Sequence, residues 1–247
     1  MANTCLNCGT ELIDNYCHKC GQKATVKRLS WHHLFEEIVH FFTHIEHQFF
    51  KTSWLMIIKP WIVQQNYLDG KRKIYQKPIS FLLIWITIYL LVFHFVNRFT
   101  HFEDLNTSTA ISNEAAVNAM INKYRSLFEI LILPVTTFSA WLIVARPKLN
   151  YVELLSVGFY AYSVLFILLT LQFIIVFIFN INFHTNMFDA SGAIIFVSWG
   201  IYSSLNFYKR YSIPYRSPRV ILSMIVGGAI YMYLIKVIAK LFIVWGF

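Results

Sequence analysis

Charged side chains are scarce in this sequence. They make up 13% of its 247 residues, whereas an ordinary soluble domain carries about 25%. Hydrophobic residues make up 57%, the mean hydropathy is +0.53, and several apolar runs are long enough to cross a bilayer. This composition argues against a soluble protein with one water-surrounded core. It predicts a mainly α-helical integral membrane protein.

Motifs for catalysis and nucleotide binding are also missing. The sequence has no Gly-rich phosphate loop, no carboxylate pair at glycosidase-like spacing and no Ser-His-Asp set around a nucleophile. The first twenty residues contain no apolar stretch of the kind that a secretory signal needs. We therefore expect a cytosolic N-terminus, and the sequence favours a non-enzymatic role.

All four cysteines lie in this N-terminal segment, as Cys5 and Cys8 followed by Cys17 and Cys20. Each pair forms a Cys-x-x-Cys-Gly unit, whose spacing lets two thiolates reach one ion. Disulfides are rare in the cytosol, so four cysteines there indicate metal ligands. The spacing predicts a structural zinc ribbon over residues 1–22 with no open coordination position, although iron is bound by similar units.

A histidine-rich segment follows, from Trp31 to Phe50. At 100° per residue its polar and apolar side chains fall on opposite faces, which predicts an amphipathic helix in the membrane interface. The alternatives are structural polar packing and a metal or proton site, because histidines at this spacing can meet on one face. The residues of that candidate face are His33, Glu37, His40, His44 and His47.

Residues 23–78 form the second predicted unit and end in a basic stretch, Lys59–Pro78, which we name the collar. Four of its five basic residues, Lys71, Arg72, Lys73 and Lys77, directly precede the first long apolar run. Cations at this place hold their end of a span in the cytosol and attract anionic lipid headgroups. The apolar stretch 52–65 is too short to span and is broken by a proline, so we expect an interfacial or re-entrant element.

Residues 79–247 are predicted to form a five-span bundle. The loops assigned to the cytosol carry clustered Lys and Arg, which places the N-terminus inside and the C-terminus outside. Lys236 and Lys240 lie in the second half of the last segment, so an alternative is that it ends near Ile235 and lies flat. The predicted spans are Ile79 to Asn97, Tyr124 to Ala145, Tyr151 to Asn180, Ser191 to Tyr208, and Val220 to Phe247.

Two carboxylates fall in or beside these spans. Intramembrane carboxylates are functional candidates by default, and this applies to Glu129 and Glu153. The alternative for Glu129 is an ion pair with Arg125, one turn earlier on the same face. Glu153 lies at the inner mouth of the third span, close in sequence to Lys148.

Three stretches in the first third of the chain carry a family resemblance: the two Cys-x-x-Cys-Gly units ending at Gln22, the segment from Glu37 through His40 to Thr52, and Pro60 followed by Tyr67-Leu68-Asp69-Gly70-Lys71-Arg72-Lys73-x-Tyr75-x-x-Pro78. On these residues the chain resembles a bacterial membrane family of unknown function, DUF3667. The resemblance implies a bacterial cytoplasmic-membrane location and no particular activity. The five-span arrangement is also similar, in topology alone, to Yip1-like proteins.

Three functions compete. The first is a membrane scaffold or regulator whose zinc ribbon recruits a cytosolic protein. The second is a channel or transporter built by the bundle, alone or as a homo-oligomer. The third is a membrane metalloenzyme that uses the face of His40, His44 and His47. Nucleic-acid binding is disfavoured, because the basic residues cluster beside the ends of apolar segments rather than in one patch.

Overall fold

The computed structural model describes residues 4–26, 28–31, 48–100, 113–179 and 185–245. In this part of the chain the protein is helical, and β-structure is limited to two isolated bridges in the N-terminal segment. The helices in chain order are α1 (Phe49–Ile58), α2 (Pro60–Leu68), α3 (Pro78–Thr100), α4 (Asn113–Lys123), α5 (Arg125–Ala140), α6 (Tyr151–Phe179), α7 (Thr185–Phe207) and α8 (Arg216–Val244).

Four helical segments of this part of the chain are long and apolar enough to cross a membrane. They correspond to the first, second, third and last predicted spans, and the last continues unbroken past Ile235 to Val244. Helix α7 does not reach the same apolarity, because serines, glycines and an asparagine interrupt it. The fourth predicted span therefore stays a prediction. The four segments are Pro78–Phe99, Arg125–Ala145, Tyr151–Phe179 and Arg216–Val244.

Helix α6 is the centre of the bundle. Half of its most apolar window is buried, against 11% for α8 at the periphery. The α3 side chains Phe81 and Tyr89 pack against Tyr160 and Phe166 of α6, with ring centroids 5.3–5.8 Å apart. On its other side α6 contacts α5 through Gly158, where an added Cβ would lie 2.7 Å from the hydroxyl oxygen of an α5 threonine. This close approach is available only to a residue without a side chain.

Helices α1 and α2 meet at Pro60, where the predicted break occurs. Proline has no N–H and ends α1 at Ile58, which leaves carbonyls at the end of that helix without helical donors. The indole N–H of Trp199 on α7 donates to the carbonyls of Met56 and Ile57, at 3.2 Å each. Irregular backbone at membrane depth is stable when protein groups satisfy it in this way.

The two tryptophans of this segment have different surroundings. Trp54 on α1 is 65% exposed, as an interfacial anchor would be. Trp61 on α2 instead packs edge-on against Tyr202 of α7, with ring centroids 5.3 Å apart. Met56 and Val63 are fully buried. The segment is therefore an integral part of the bundle, and only one face of α1 is left exposed.

Candidate metal centre and its seat on the membrane helices

The four N-terminal cysteines come together. Their Sγ atoms all lie within 4.8 Å of one another, and the pairs Cys5–Cys20 and Cys8–Cys17 are 3.6 Å apart. Tetrahedral zinc with Zn–S bonds of about 2.3 Å requires sulfurs about 3.8 Å apart. The arrangement fits one tetrahedral metal ion, and its geometry does not distinguish zinc from iron.

Both cysteine units have the same backbone geometry. In the first, Gly9 N–H donates to the carbonyl of Cys5, and in the second Gly21 N–H donates to that of Cys17, at 2.8 Å in each case. Both glycines adopt a positive φ, 74° and 70°, which side chains disfavour. Each unit is closed by a single antiparallel bridge. The ribbon is thus two copies of one turn, which explains the repeated Cys-x-x-Cys-Gly pattern.

The thiols differ in acidity before any metal is considered. Hydrogen bonding with the side chain and backbone of Thr10 lowers the pKa of Cys8 to about 6, whereas burial raises the pKa of Cys20 to about 11. A bound dication favours the thiolate at every ligand, and it would offset the burial of Cys20.

Gln22, directly after the second unit, attaches the ribbon to the collar. Its side chain is 6% exposed; the amide group donates to the carbonyl of Gly70 at 2.9 Å. Its carbonyl oxygen accepts from the backbone N–H groups of Arg72 and Lys73, at 3.2 and 3.3 Å. One side chain therefore satisfies three backbone groups of a turn about fifty residues away in sequence.

The turn beneath the ribbon is shaped by Gly70. Its φ of +93° excludes most side chains, and an added Cβ would lie 3.0 Å from Leu6 and 3.2 Å from Val26 of the N-terminal segment. The ribbon thus rests directly on bare backbone. This explains physically why a glycine stands at this point of the collar.

A second attachment joins Arg28, which follows the ribbon in sequence, to α6. The guanidinium of Arg28 binds both carboxylate oxygens of Glu153, and the Nη2–Oε2 distance is 2.7 Å. The same carboxylate accepts from the backbone N–H of Asn150 at 2.9 Å, and it raises the pKa of Arg28 further. The cation of this ion pair is therefore Arg28 rather than Lys148, the basic residue close to Glu153 in sequence. Next to Arg28, Leu29 is buried in the main hydrophobic core.

The basic residues of the collar have different environments. Arg72 lies over the ring of Tyr67, 5.7 Å from its centroid, and Lys71 donates to Asn66 at 3.2 Å. Lys73 is exposed and Lys77 is half-buried. The adjacent Asp69 forms a two-bond ion pair with Arg210 after α7, at 2.8 and 2.9 Å. The collar is a folded part of the bundle, and its contact with lipid headgroups stays a prediction.

Glu129 of α5 is the second carboxylate candidate. It is 3% exposed and accepts a hydrogen bond from the hydroxyl of Tyr231 on α8 at 2.7 Å. Arg125 is close enough to interact with it electrostatically, as the sequence predicted. Glu129 lies near the start of α5, and Glu153 lies in the first turn of α6. Because these two neighbouring helices run in opposite directions, the carboxylates are at opposite ends of the pair and do not form one site.

The predicted histidine face lies outside the described residues. His33, Glu37, His40, His44 and His47 all belong to the stretch 32–47, so its metal and interfacial readings stay predictions. Sequence reasoning also missed three residues that make long-range polar contacts, namely Gln22, Arg28 and Tyr231. For Gln22 the sequence contained a signal. This residue directly follows the second of two repeated cysteine units, and its carboxamide is not a metal ligand, so a role outside the metal site could have been suspected.

Comparison with known proteins gives one match. No curated protein and no solved structure matches the chain. The matching family model covers α1, α2, the collar and the first half of α3, and it does not include the cysteines. It supports the resemblance seen in the sequence: residues 46–90 match the family described as a protein of unknown function, DUF3667.

Proposed function

We propose that this protein is a non-enzymatic membrane scaffold or regulator whose zinc-bound ribbon recruits a cytosolic protein. The observation that carries the proposal is the seat of the ribbon. Gln22 and Arg28 fix one side of the N-terminal segment to the collar and to α6. A closed four-cysteine site leaves no coordination position for a substrate, so its role is to build a surface.

The surface that remains free is suited to a protein partner. Ile13 and Tyr16 stand between the two cysteine units and are 82% and 60% exposed. Glu11 and Asp14 flank them and are exposed as well. An aromatic and an aliphatic side chain surrounded by carboxylates favour a partner that presents an apolar contact with basic residues around it.

The proposed arrangement is five crossings of the bacterial cytoplasmic membrane, with the ribbon in the cytosol and the C-terminus outside. The course of α7 supports the fifth crossing. Near its start Ser191 accepts from Gln172 of α6, and at its end the carbonyl of Phe207 accepts from Gln65 in the collar. Its 23 residues extend about 34 Å, enough for the hydrocarbon layer.

A site-specific cross-linking experiment tests the proposal. A photoreactive residue replaces Ile13 or Tyr16 in the full-length protein, and Thr25, which is exposed but outside this surface, serves as the control position. We expect one discrete cross-linked protein from positions 13 and 16 in native membranes and none from position 25. Deletion of residues 1–22 should prevent its co-purification while membrane insertion continues.

Two outcomes would overturn the proposal. One is the absence of any cross-linked protein from the Ile13 and Tyr16 positions under conditions in which the metal stays bound. The other is the same set of products from the Thr25 position, which would indicate random collision. Metal analysis of each variant separates both outcomes from simple loss of the ribbon.

A further inference from the structure

Three residues are buried within the described stretch 4–26, namely Cys5, Cys17 and Gln22. The first two are candidate metal ligands, and the third is the residue that docks the ribbon on the collar. No other apolar side chain described in this stretch is buried, so the ribbon lacks a hydrophobic core of its own there. Its fold therefore depends on the metal ion that the cysteines can hold.

Gln22 belongs to the metal centre through its backbone and to the seat through its side chain. Its backbone carbonyl accepts from the N–H of Cys17 at 2.8 Å, which closes the turn that carries Cys17 and Cys20. Its side-chain amide bonds to the backbone of residues 70–73. The direction of this side chain is therefore set by the same turn that positions two of the metal ligands.

The first cysteine unit contacts the same part of the collar. Leu6, between Cys5 and Cys8, lies over Gly70, because a Cβ added to Gly70 would come within 3.0 Å of the Leu6 Cδ1 atom. The seat thus uses one residue from each unit, Leu6 and Gln22. Two sulfur–sulfur pairs, each 3.6 Å apart, join one unit to the other. An ion bound by all four thiolates therefore holds Leu6 and Gln22 in one docking surface.

Without the ion the two units are separate short turns. Each contains a glycine at positive φ and is closed by a single antiparallel bridge, which is too little to fix a turn in water. Holding Leu6 and Gln22 in their docked positions would then cost conformational entropy that their few contacts do not offset. The ion pair of Arg28 with Glu153 lies outside both units, so the freed ribbon stays tethered to α6.

We infer that metal binding and docking of the ribbon on the collar are coupled. The ribbon docks when an ion joins the two cysteine units, and loss of the ion releases it and uncovers the backbone of residues 70–73. Because a coupling between two equilibria is reciprocal, docking also strengthens metal binding. The protein therefore contains a metal-dependent switch at the surface of its bundle, and this switch does not require the proposed protein partner.

Hydrogen exchange of the purified full-length protein tests the coupling. The reporter is the backbone N–H of Lys73, which donates to the Gln22 side chain at 3.3 Å and lies 51 residues after it in sequence. The reference is the backbone N–H of Gln76, which donates to Thr52 inside the bundle at 3.0 Å. Exchange is followed by mass spectrometry on peptides that separate the two amides, with Zn²⁺ bound and after its removal by a chelator.

Removal of the ion should accelerate exchange at the Lys73 amide about thirty-fold, the factor expected from loss of the Gln22 hydrogen bonds. The Gln76 amide should exchange at an unchanged rate, and added Zn²⁺ should restore slow exchange at Lys73. Elemental analysis confirms the metal content of each sample. Equal rates at Lys73 with and without the ion would refute the coupling. So would an equal acceleration at Gln76, because loss of the ion would then loosen the whole bundle.

Two variants test whether Gln22 carries the coupling. In Gln22→Ala the Lys73 amide should exchange fast with and without the ion. This variant should also lose Zn²⁺ to a competing chelator at a lower concentration than the wild type does, although its site stays filled when Zn²⁺ is in excess. Glu11→Ala, an exposed change on the ribbon, is the matched control and should behave as the wild type in both assays. Slow exchange at Lys73 in metal-bound Gln22→Ala would overturn the inference.

Discussion

Replacement of Gln22 by alanine should release the ribbon from the collar without unfolding it. The change removes three hydrogen bonds between Gln22 and the backbone of residues 70–73, whereas the hydrogen bond from Arg72 N–H to the carbonyl of Gly70 remains. Losing the partners of buried backbone groups costs about 1–3 kcal/mol, and a net cost of about 2 kcal/mol corresponds to about a thirty-fold larger undocked population. The metal ligands are unchanged, so metal content should stay the same.

Limited trypsin digestion measures this population. Lys23 lies directly after the docking residue and is exposed, and cleavage there follows the fraction of open molecules when opening is fast. We expect cleavage after Lys23 to accelerate about thirty-fold in Gln22→Ala, in line with the free energy above. Glu11→Ala, an exposed change elsewhere on the ribbon, should leave the rate unchanged. A Gln22→Ala rate equal to that of the wild type would refute the idea that this side chain holds the ribbon.

Three further outcomes are expected. Gly158→Val should lower the midpoint of thermal unfolding by overpacking the α5–α6 contact, at a cost of about 1–3 kcal/mol, whereas Gly228→Val, where a Cβ meets nothing within 4 Å, should not. Trp199→Phe should also lower the midpoint of thermal unfolding, because the carbonyl of Met56 loses its hydrogen bond from the indole N–H. Trp54→Phe, on the exposed face of α1, should leave that midpoint unchanged. Elemental analysis should give one metal ion per chain, and replacement of the cysteines by serine should remove it. A second metal ion that depends on the histidine face would instead support the metalloenzyme hypothesis.

Local patterns in the sequence were sufficient for much of the fold. Apolar run length placed four spans, proline chemistry placed the break at Pro60, and the spacing of the cysteines placed the metal centre. Each of these depends on residues close together in the chain. Hydropathy alone does not assign the fourth predicted span, because the serines and glycines of α7 lower its mean hydropathy below that of the four apolar segments.

The attachments between distant segments could not be predicted in the same way. Arg28 and Glu153 are 125 residues apart, and nothing in the periodicity around either one names the other. The same holds for Trp199, whose indole N–H caps carbonyls more than 140 residues earlier. Such contacts depend on which helix surfaces meet, which is a property of the whole packing arrangement rather than of any local window.

The contact between Arg28 and Glu153 also sets an order of events during biosynthesis. The ribbon leaves the ribosome before α6 does, and its seat is complete only when Glu153 of α6 has been made, 125 residues after Arg28. At about 5–20 residues per second this delay is about 6–25 s. During that interval Arg28 has no carboxylate partner on α6, although Gln22 can already bind the collar, whose Gly70 is made 48 residues after it. Formation of the ion pair between Arg28 and Glu153 therefore marks the point at which the third long helix is in place.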